Sequence, residues 1–317
     1  MDYRKRRNEM ITVIIPVLNA MPYLPEALAS LEAQTFKDFE VSVWDNGSTD
    51  GSVEEALRWI PGRLKGRVVT ANPLPLHECL ARMVGEAQTE FVARMDGDDV
   101  CLPERFELQL QEMQRNSRLA ALGAQRMEID AQGSSLPART PMPVAFVDVL
   151  SRLLVVNALL HPTVMFRRSA ILSAGNYGLC EKPCEDYDLW LRVAKNFELR
   201  NSERVLLKYR VHEGGIIMGA RRVEALAKPN LDCICRHVQE LFGIDPVNYR
   251  RLRNKQVALA FPVLLKAAGK ISAHTGARLP MVLGSSEFLY SARCLTRKGD
   301  LASRALWGVF ERVLSHG

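Results

Sequence analysis

Phe39-Glu40-Val41-Ser42-Val43-Trp44-Asp45-Asn46-Gly47-Ser48-Thr49-Asp50 is the stretch on which the reading of this chain turns. Its first six residues are rich in β-branched and aromatic side chains, as a strand requires. It then breaks into an acid followed by Asn, Gly, Ser, Thr and Asp, residues that close turns and cap helices. A buried strand ending on an acidic turn is therefore expected here. Upstream, Ile11–Val17 is almost wholly apolar, as a strand covered on both faces should be. Pro22–Gln34 follows with Leu24, Leu28 and Leu31 at helical spacing. Downstream, the pattern predicts a helix over Ser52–Trp59, a strand over Arg67–Thr70 and a helix over His77–Ala87. A strand over Phe91–Met95 and a helix over Pro103–Asn116 complete the run.

Strands alternating with helices at this rhythm predict an α/β fold: a mostly parallel central sheet with helices on both faces. Ligands in such sheets sit beyond the carboxyl ends of the strands. Asp45 and Asp96 each follow a strand, so both are expected on one rim. The second half is less regular. Leu119–Ile129, Thr163–Phe166 and Arg204–Val211 read as strands, Glu185–Asn196 as a helix, and Asp130–Pro143 as a mobile loop. From about Val223 the pattern is helical, with Pro229, Pro246, Pro262 and Pro280 as breakers, giving a C-terminal helical extension.

The 317 residues, 47% apolar and 25% charged, suffice for one large domain or two modest ones with a sizeable core. The net charge of +6 is unevenly spread. Residues 218–317 carry 16 Lys+Arg against 7 Asp+Glu, whereas 1–217 carry 26 against 29. The basic tail suits a solvated helical surface, an acidic partner or an anionic membrane face. It lacks the interleaved aromatics that stack bases, so no nucleic-acid partner is expected. Seven cysteines without regular spacing indicate free thiols in a reducing compartment. Cys180-x3-Cys184 and Cys233-x-Cys235-x-His237 lack the paired spacing of a structural zinc site. No uncharged run reaches the ~18–20 residues that span a bilayer. Met1–Glu9 is a basic leader expected to be disordered, and Met10 is an alternative start.

Four polar signals carry the chemistry. Asp96-Gly97-Asp98-Asp99 places carboxylates on a turn after a buried strand, the ligand type preferred by hard cations whose shells are completed by phosphate and water. Asp45 can accept a hydrogen bond from a nucleotide base, or simply close its turn. Glu185-Asp186-Tyr187-Asp188 sets three carboxylates in a first helical turn, where the helix dipole favours acids and a general base can be built. Tyr187, Trp190, Leu191 and Ala194 at helical spacing read as core. His212 is either a metal or phosphate contact or a structural histidine. His77, His161 and His237 carry weaker versions of the same choice. No G-x-G-x-x-G follows the first strand, and no G-x4-G-K-[ST] or G-x-S-x-G occurs. These absences argue against dinucleotide oxidoreductases, P-loop hydrolases and nucleophile-elbow esterases.

In this order the motifs resemble those of glycosyltransferase family 2, which has the GT-A fold. The matching residues are Val13–Asn19, Leu28-x-Ser30-Leu31-x-x-Gln34-Thr35, Val43–Gly51, Met95–Asp99, Glu185–Arg192 and Tyr209–His212. The resemblance covers residues 10–217 as a GT-A domain, and 218–317 lie outside it. It implies inverting transfer of a sugar from a nucleotide diphosphate-sugar, most often UDP-linked, with Mn2+ or Mg2+. Carried over, Pro16, Asn19, Asp45 and Asp96 bind nucleotide; Asp98, Asp99 and His212 serve the metal; Asp186, with Glu185 beside it, is the base. The chain departs from the family at Ala81-Arg82-Met83, where Asn-x-Gly is usual, at Asn46 and at Glu213-Gly214-Gly215. The expected partners are the nucleotide-sugar donor and a carbohydrate or lipid-linked glycan acceptor, as in polysaccharide or lipopolysaccharide assembly. A homodimer and peripheral contact at the inner face of the cell membrane stay open for an otherwise cytoplasmic chain. The alternative is a non-catalytic sugar-nucleotide-binding protein of the same fold.

Overall fold

The chain's first strand, β1 (Ile11–Val17), is buried except at the half-buried Pro16, and its alternation assigns it two cores at once. Ile11, Val13, Ile15 and Val17 face one layer, and Ile14 faces the other, the period of two that a strand imposes. This computed structural model describes residues 10–178, 184–214, 220–253 and 260–295. The leader expected over Met1–Glu9, Cys180 and the end of the tail lie outside them.

Eight strands among the described residues form one sheet in the order β3-β2-β1-β4-β7-β6-β8-β5. β3 (Gly66–Thr70), β2 (Phe39–Asp45), β1 and β4 (Phe91–Arg94) run parallel, as expected. β7 (Met165–Arg167) is antiparallel to both β4 and β6 (Leu119–Ile129). β6 pairs parallel with β8 (Glu198–Arg210), and the two-residue β5 (Val100–Cys101) closes antiparallel on β8. One face packs α1 (Leu24–Glu32), α2 (Ser52–Trp59) and α4 (Arg105–Arg115), through Leu28, Leu31, Trp59, Phe106 and Met113. The other packs α3 (Leu76–Glu86), α5 (Phe146–Leu153), α6 (Arg168–Ser173) and α7 (Glu185–Val193), through Leu80, Met83, Leu153, Ile171 and Trp190.

Five further helices, α8 (Ala220–Phe242), α9 (Pro246–Arg253), α10 (Ala260–Thr275), α11 (Leu279–Gly284) and α12 (Ser286–Leu295), continue this second core. Val238, Phe242, Tyr249, Ile271 and Phe288 are buried in one cluster with Leu153, Trp190 and Phe166. Polar contacts fix the seam. Tyr249 donates to the Leu154 carbonyl at 2.5 Å, Ser291 to the Ser151 carbonyl at 2.6 Å, and Arg152 pairs with Glu287. Among the described residues no helix is long and apolar enough to cross a membrane.

The structure differs from the sequence reading in places. β8 starts at Glu198, not Arg204, because Glu198–Asn201 pair with Leu119–Gly123, with register irregularities between Leu119 and Ala121 and again after Gly123. Charged residues alternating with buried ones hid that half of the strand. α5, α6 and β5 were not expected; each is short, and tertiary packing rather than periodicity defines it. Pro229 lies inside α8 and Pro262 inside α10 instead of ending them.

Each fully buried large apolar side chain contributes about 1.5–3 kcal/mol, so the five named in the tail together rival the whole net stability of a domain. A chain truncated after residue 217 is accordingly expected to lose its cooperative thermal transition and to bind a hydrophobic dye. An unchanged melting curve for the truncated chain would show instead that the tail is an independent unit.

Candidate active site

The register of β1 with its neighbours builds the rim. Val17 stands beside Asp45, and the Met95 amide donates to the Ile14 carbonyl, so the ends of β1, β2 and β4 lie level. Pro16 sits opposite Trp44 in the sheet. Asn19 follows the strand with φ 52, a left-handed conformation that Asn tolerates better than most side chains. Its Oδ1 accepts the Thr49 amide at 2.9 Å, and its own amide donates to Ser48 Oγ at 2.9 Å. Ser52 Oγ accepts from the Ala20 amide, and the Asp50 carboxylate from the Met21 amide. The two loops that bear Asn19 and Asp45 are thus stitched together by side chains.

Asp45 is 4% exposed, and its carboxylate accepts the amides of Gly47 at 3.0 Å and Ser48 at 3.2 Å. Those bonds hold its carboxylate in place at the base of the rim. Asn46 makes a reciprocal pair with the backbone of Leu74, which ties the turn to the segment entering α3. Gly47 has φ 95, and a Cβ there would meet Pro73 at 2.9 Å, so both conformation and space require glycine.

Asp96, Asp98 and Asp99 present carboxylate oxygens within 4.8 Å of one another, and among the described residues they are the one group of three or more side chains suited to a metal ion. Each is held differently. Asp96 is gripped by both terminal nitrogens of the buried Arg94, each at 2.6 Å. Asp98 Oδ2 lies 2.9 Å from His212 Nε2. Asp99 accepts the Arg210 amide at 2.9 Å on Oδ1, while its buried Oδ2 has no hydrogen-bond partner. Burial first, and then the charges of Asp96 and Asp98, push the Asp99 carboxyl well above the usual range; burial also raises Asp96. Converging carboxylates with an orphaned buried oxygen fit a hard divalent cation, which would relieve both the repulsion and the unmet acceptor.

Arg210, 4% exposed, is the strut beneath this cluster. Its guanidinium donates to the Asp98 carbonyl at 2.9 Å, to the Asp130 carbonyl at 3.2 Å and to Glu26. The Tyr23 ring stacks over it at 4.7 Å and also meets the His212 ring at 4.7 Å.

The second acidic cluster begins α7. Asp186 accepts the Tyr187 amide on Oδ1 and the side-chain amide of Asn157 on Oδ2, each at 2.7 Å. His161 Nδ1 lies 4.0 Å from Asp186 Oδ2, and the His161 Nε2 shares a 2.7 Å hydrogen bond with Tyr177 Oη. Burial, and then the neighbouring Glu185, raise the Asp186 carboxyl to about 7. Burial and the charge of Arg94 push the His161 imidazole well below its ordinary value, so it is neutral. Glu185 is buried, and among the described residues its Oε2 has no hydrogen-bond partner.

Asp188 is a different group. It is 2% exposed and accepts from Arg192 Nε at 2.8 Å on its own helix and from His237 Nε2 at 2.9 Å on α8. Burial alone would raise it, but the hydrogen bonds from His237 and Arg192 hold it down to about 2. It anchors α7 to the tail. Tyr187, Trp190, Leu191 and Ala194 are buried, as expected of core residues. Arg94 links the two clusters: it pairs with Asp96, and its charge also reaches Asp186, while Asp96 and Glu185 feel each other's charge.

Sequence reasoning missed Arg94, Arg210, Tyr23 and Asn157. For Arg94 a signal existed: it is a cation inside an otherwise apolar, buried strand, which demands an anionic partner. Tyr23 caps α1, where helical spacing marks only the leucines, Arg210 ends a strand that partly faces solvent, and Asn157 lies in a loop without periodicity.

Residues 12–173 match the family model for glycosyl transferase family 2. The amylovoran biosynthesis glycosyltransferase AmsE of Erwinia amylovora is 32% identical over 217 residues, covering 67% of this chain and 80% of that protein. The O-antigen biosynthesis glycosyltransferase WbnJ of Escherichia coli is 31% identical over 212 residues, covering 64% and 80%. Among solved structures, residues 1–349 of S. aureus TarS in complex with UDP-GlcNAc superpose with a TM-score of 0.53 at 16% identity, covering 96% of this chain and 92% of that one. The mannosyltransferase PcManGT of Pyrobaculum calidifontis, in complex with GDP-Man and Mn2+, gives 0.50 at 16% identity, covering 96% and 83%. These last two likenesses concern the fold. With the rim motifs in place and most of its sheet matched, the chain belongs to glycosyl transferase family 2 and has the GT-A fold.

Proposed function

We propose that the protein is an inverting glycosyltransferase that moves a sugar from a nucleotide diphosphate-sugar to an acceptor hydroxyl during assembly of a surface polysaccharide or O-antigen. The observation that carries this reading is the pairing of two acidic clusters around Arg94: one suited to a cation at the rim, the other holding a carboxyl near neutrality. The relatives named for amylovoran and O-antigen biosynthesis support the acceptor class, a carbohydrate or lipid-linked glycan. The UDP-GlcNAc bound to TarS favours a uridine donor, and the GDP-Man of PcManGT keeps guanosine in view. The domain that carries this activity is residues 10–217, supported by the helices described between Ala220 and Leu295.

In this reading Pro16, Asn19 and Asp45 line the nucleotide pocket, with Asp96 on the ribose side. Asp98, Asp99 and His212 would hold Mn2+ or Mg2+, which when bound neutralises charge on a departing diphosphate. Asp186 accepts the proton of the acceptor hydroxyl as that oxygen forms its bond to the anomeric carbon. The bond from the anomeric carbon to the diphosphate oxygen breaks on the opposite face, and the centre inverts. The side chain of Asp186 remains 19% exposed, which leaves a path for the hydroxyl. Burial, and then the charge of Glu185 beside it, keep the proton affinity of Asp186 high enough to act.

Three outcomes are expected. Asp98→Ala loses Mn2+-dependent affinity for UDP, GDP or dTDP by at least about tenfold in calorimetry, the scale of one lost charged ligand; equal affinity in the variant would remove Asp98 from the metal site. Asp186→Asn lowers turnover by roughly 10²–10⁴-fold, the usual contribution of a general base, while the nucleotide still binds. Near-normal turnover would dismiss Asp186 as the base. The base works only when ionised, so kcat/KM of the wild type should climb with pH through a midpoint of about 7 and level off above it. A profile flat across neutrality would contradict the assignment.

A further inference from the structure

Asp186 has two carboxylate oxygens, and each is held by one hydrogen bond from the protein. One comes from the Tyr187 amide, which any residue at that position would supply. The other comes from a side chain, that of Asn157. We propose that Asn157 is the positioning residue of the base: its amide fixes the plane of the Asp186 carboxylate and stabilises the ionised form that takes the acceptor's proton. This rests on the reading of Asp186 as the base.

The geometry leaves Asn157 little freedom. Its Oδ1 accepts the Leu159 amide at 3.2 Å, so the NH2 end of the side chain is the one turned toward Asp186. A flipped amide would lose that bond and set a carbonyl oxygen against a carboxylate. The segment before Asn157 is pinned from two sides. Tyr187 Oη donates to the Leu153 carbonyl at 2.6 Å, and Tyr249 Oη donates to the Leu154 carbonyl. The end of α5 is thereby tied both to α7, which carries Asp186, and to α9 of the tail. Asn157 reaches Asp186 from an anchored support, which is what holding a catalytic group within a fraction of an ångström requires.

The charges around Asp186 show why such a donor matters. Glu185 on its own helix and burial both favour the protonated form. Arg94 on β4 opposes them from a distance. His161, in the turn before β7, is neutral, and Tyr177 beside it keeps its proton because burial raises it. Neither supplies charge. Among the described residues Asn157 provides the one side-chain hydrogen bond to the carboxylate. A donor to the ionised form lowers the pKa of the acid it serves, so Asn157 offsets part of the upward pressure and leaves the base able to ionise near neutrality.

The first readout needs neither donor nor acceptor. In the full chain labelled at aspartate Cγ, the carboxyl resonance of Asp186 is identified by its loss in Asp186→Asn and followed by NMR against pH. The wild type is expected to titrate at about 7. In Asn157→Ala, and in the similarly sized Asn157→Leu should the first variant fold poorly, the midpoint should rise by roughly half to one pH unit, the effect of losing one hydrogen bond to a charge. Hydrolysis of UDP-GlcNAc, with water as acceptor, should then show a lower kcat, an unchanged donor KM and the same upward displacement of its pH profile. Unmoved midpoints in both folded variants would overturn the proposal and reduce the contact to packing. Displaced midpoints with hydrolysis that survives Asp186→Asn would leave the contact standing and sink the reading of Asp186 as the base.

Discussion

Mutual repulsion among three carboxylates is the constraint around which this molecule is arranged. Asp96, Asp98 and Asp99 lie within 4.8 Å of one another at the end of a buried strand, where water screens them poorly. The surroundings divide the work of tolerating them. Arg94, buried in β4, takes Asp96. His212, at the end of β8, takes Asp98. The Arg210 amide takes one oxygen of Asp99 and leaves the other unmet. The distant strand β8 must therefore return to the rim beside β6 and β5, and the mixed half of the sheet follows from that need. A cluster so incompletely neutralised is expensive for a fold without a ligand and well suited to one that receives a cation and a diphosphate together.

The tail stands in the same relation to the second cluster. Its helices do not merely extend the chain; they fill one face of the sheet and hold α7 from behind. Asp188 reaches His237 on α8, and Tyr249 and Ser291 bond to carbonyls at the end of α5 and beside it. Since α7 bears Asp186 and α5 leads to Asn157, the tail braces both partners of one short hydrogen bond. A loss of tail packing would be felt first as disorder in the position of that carboxylate.

The parallel half of the sheet was legible because a strand buried on both faces has no polar alternation to obscure it. β1, β2, β4 and the helices between them lie within a residue or two of where periodicity puts them, and the placement of Asp45 and Asp96 on one rim follows from that topology alone. The second half was less legible for physical reasons. β8 alternates charged and buried residues because one side faces solvent, and α5 and α6 are too short for a helical period to declare itself. Contacts such as Asn157 to Asp186, or Arg210 to the Asp98 carbonyl, join residues 29 and 112 positions apart in loops and strand ends. Nothing local in the sequence encodes those separations.

Glu185, Asp186 and Asp188 show most clearly what folding adds to composition. In the sequence they are three acids in a first helical turn, each favoured by the helix dipole and none distinguished from the others. In the structure their surroundings separate them. Asp188 faces into the seam with the tail, where Arg192 and His237 keep it ionised, and a permanently paired carboxylate makes a poor proton acceptor. Glu185 is buried without a partner for one oxygen, and its charge raises its neighbour. Asp186 alone keeps an open side, a fixed plane and a proton affinity near neutrality. One acid anchors the helix, the second raises its neighbour, and the third is the one left open for the role proposed for it.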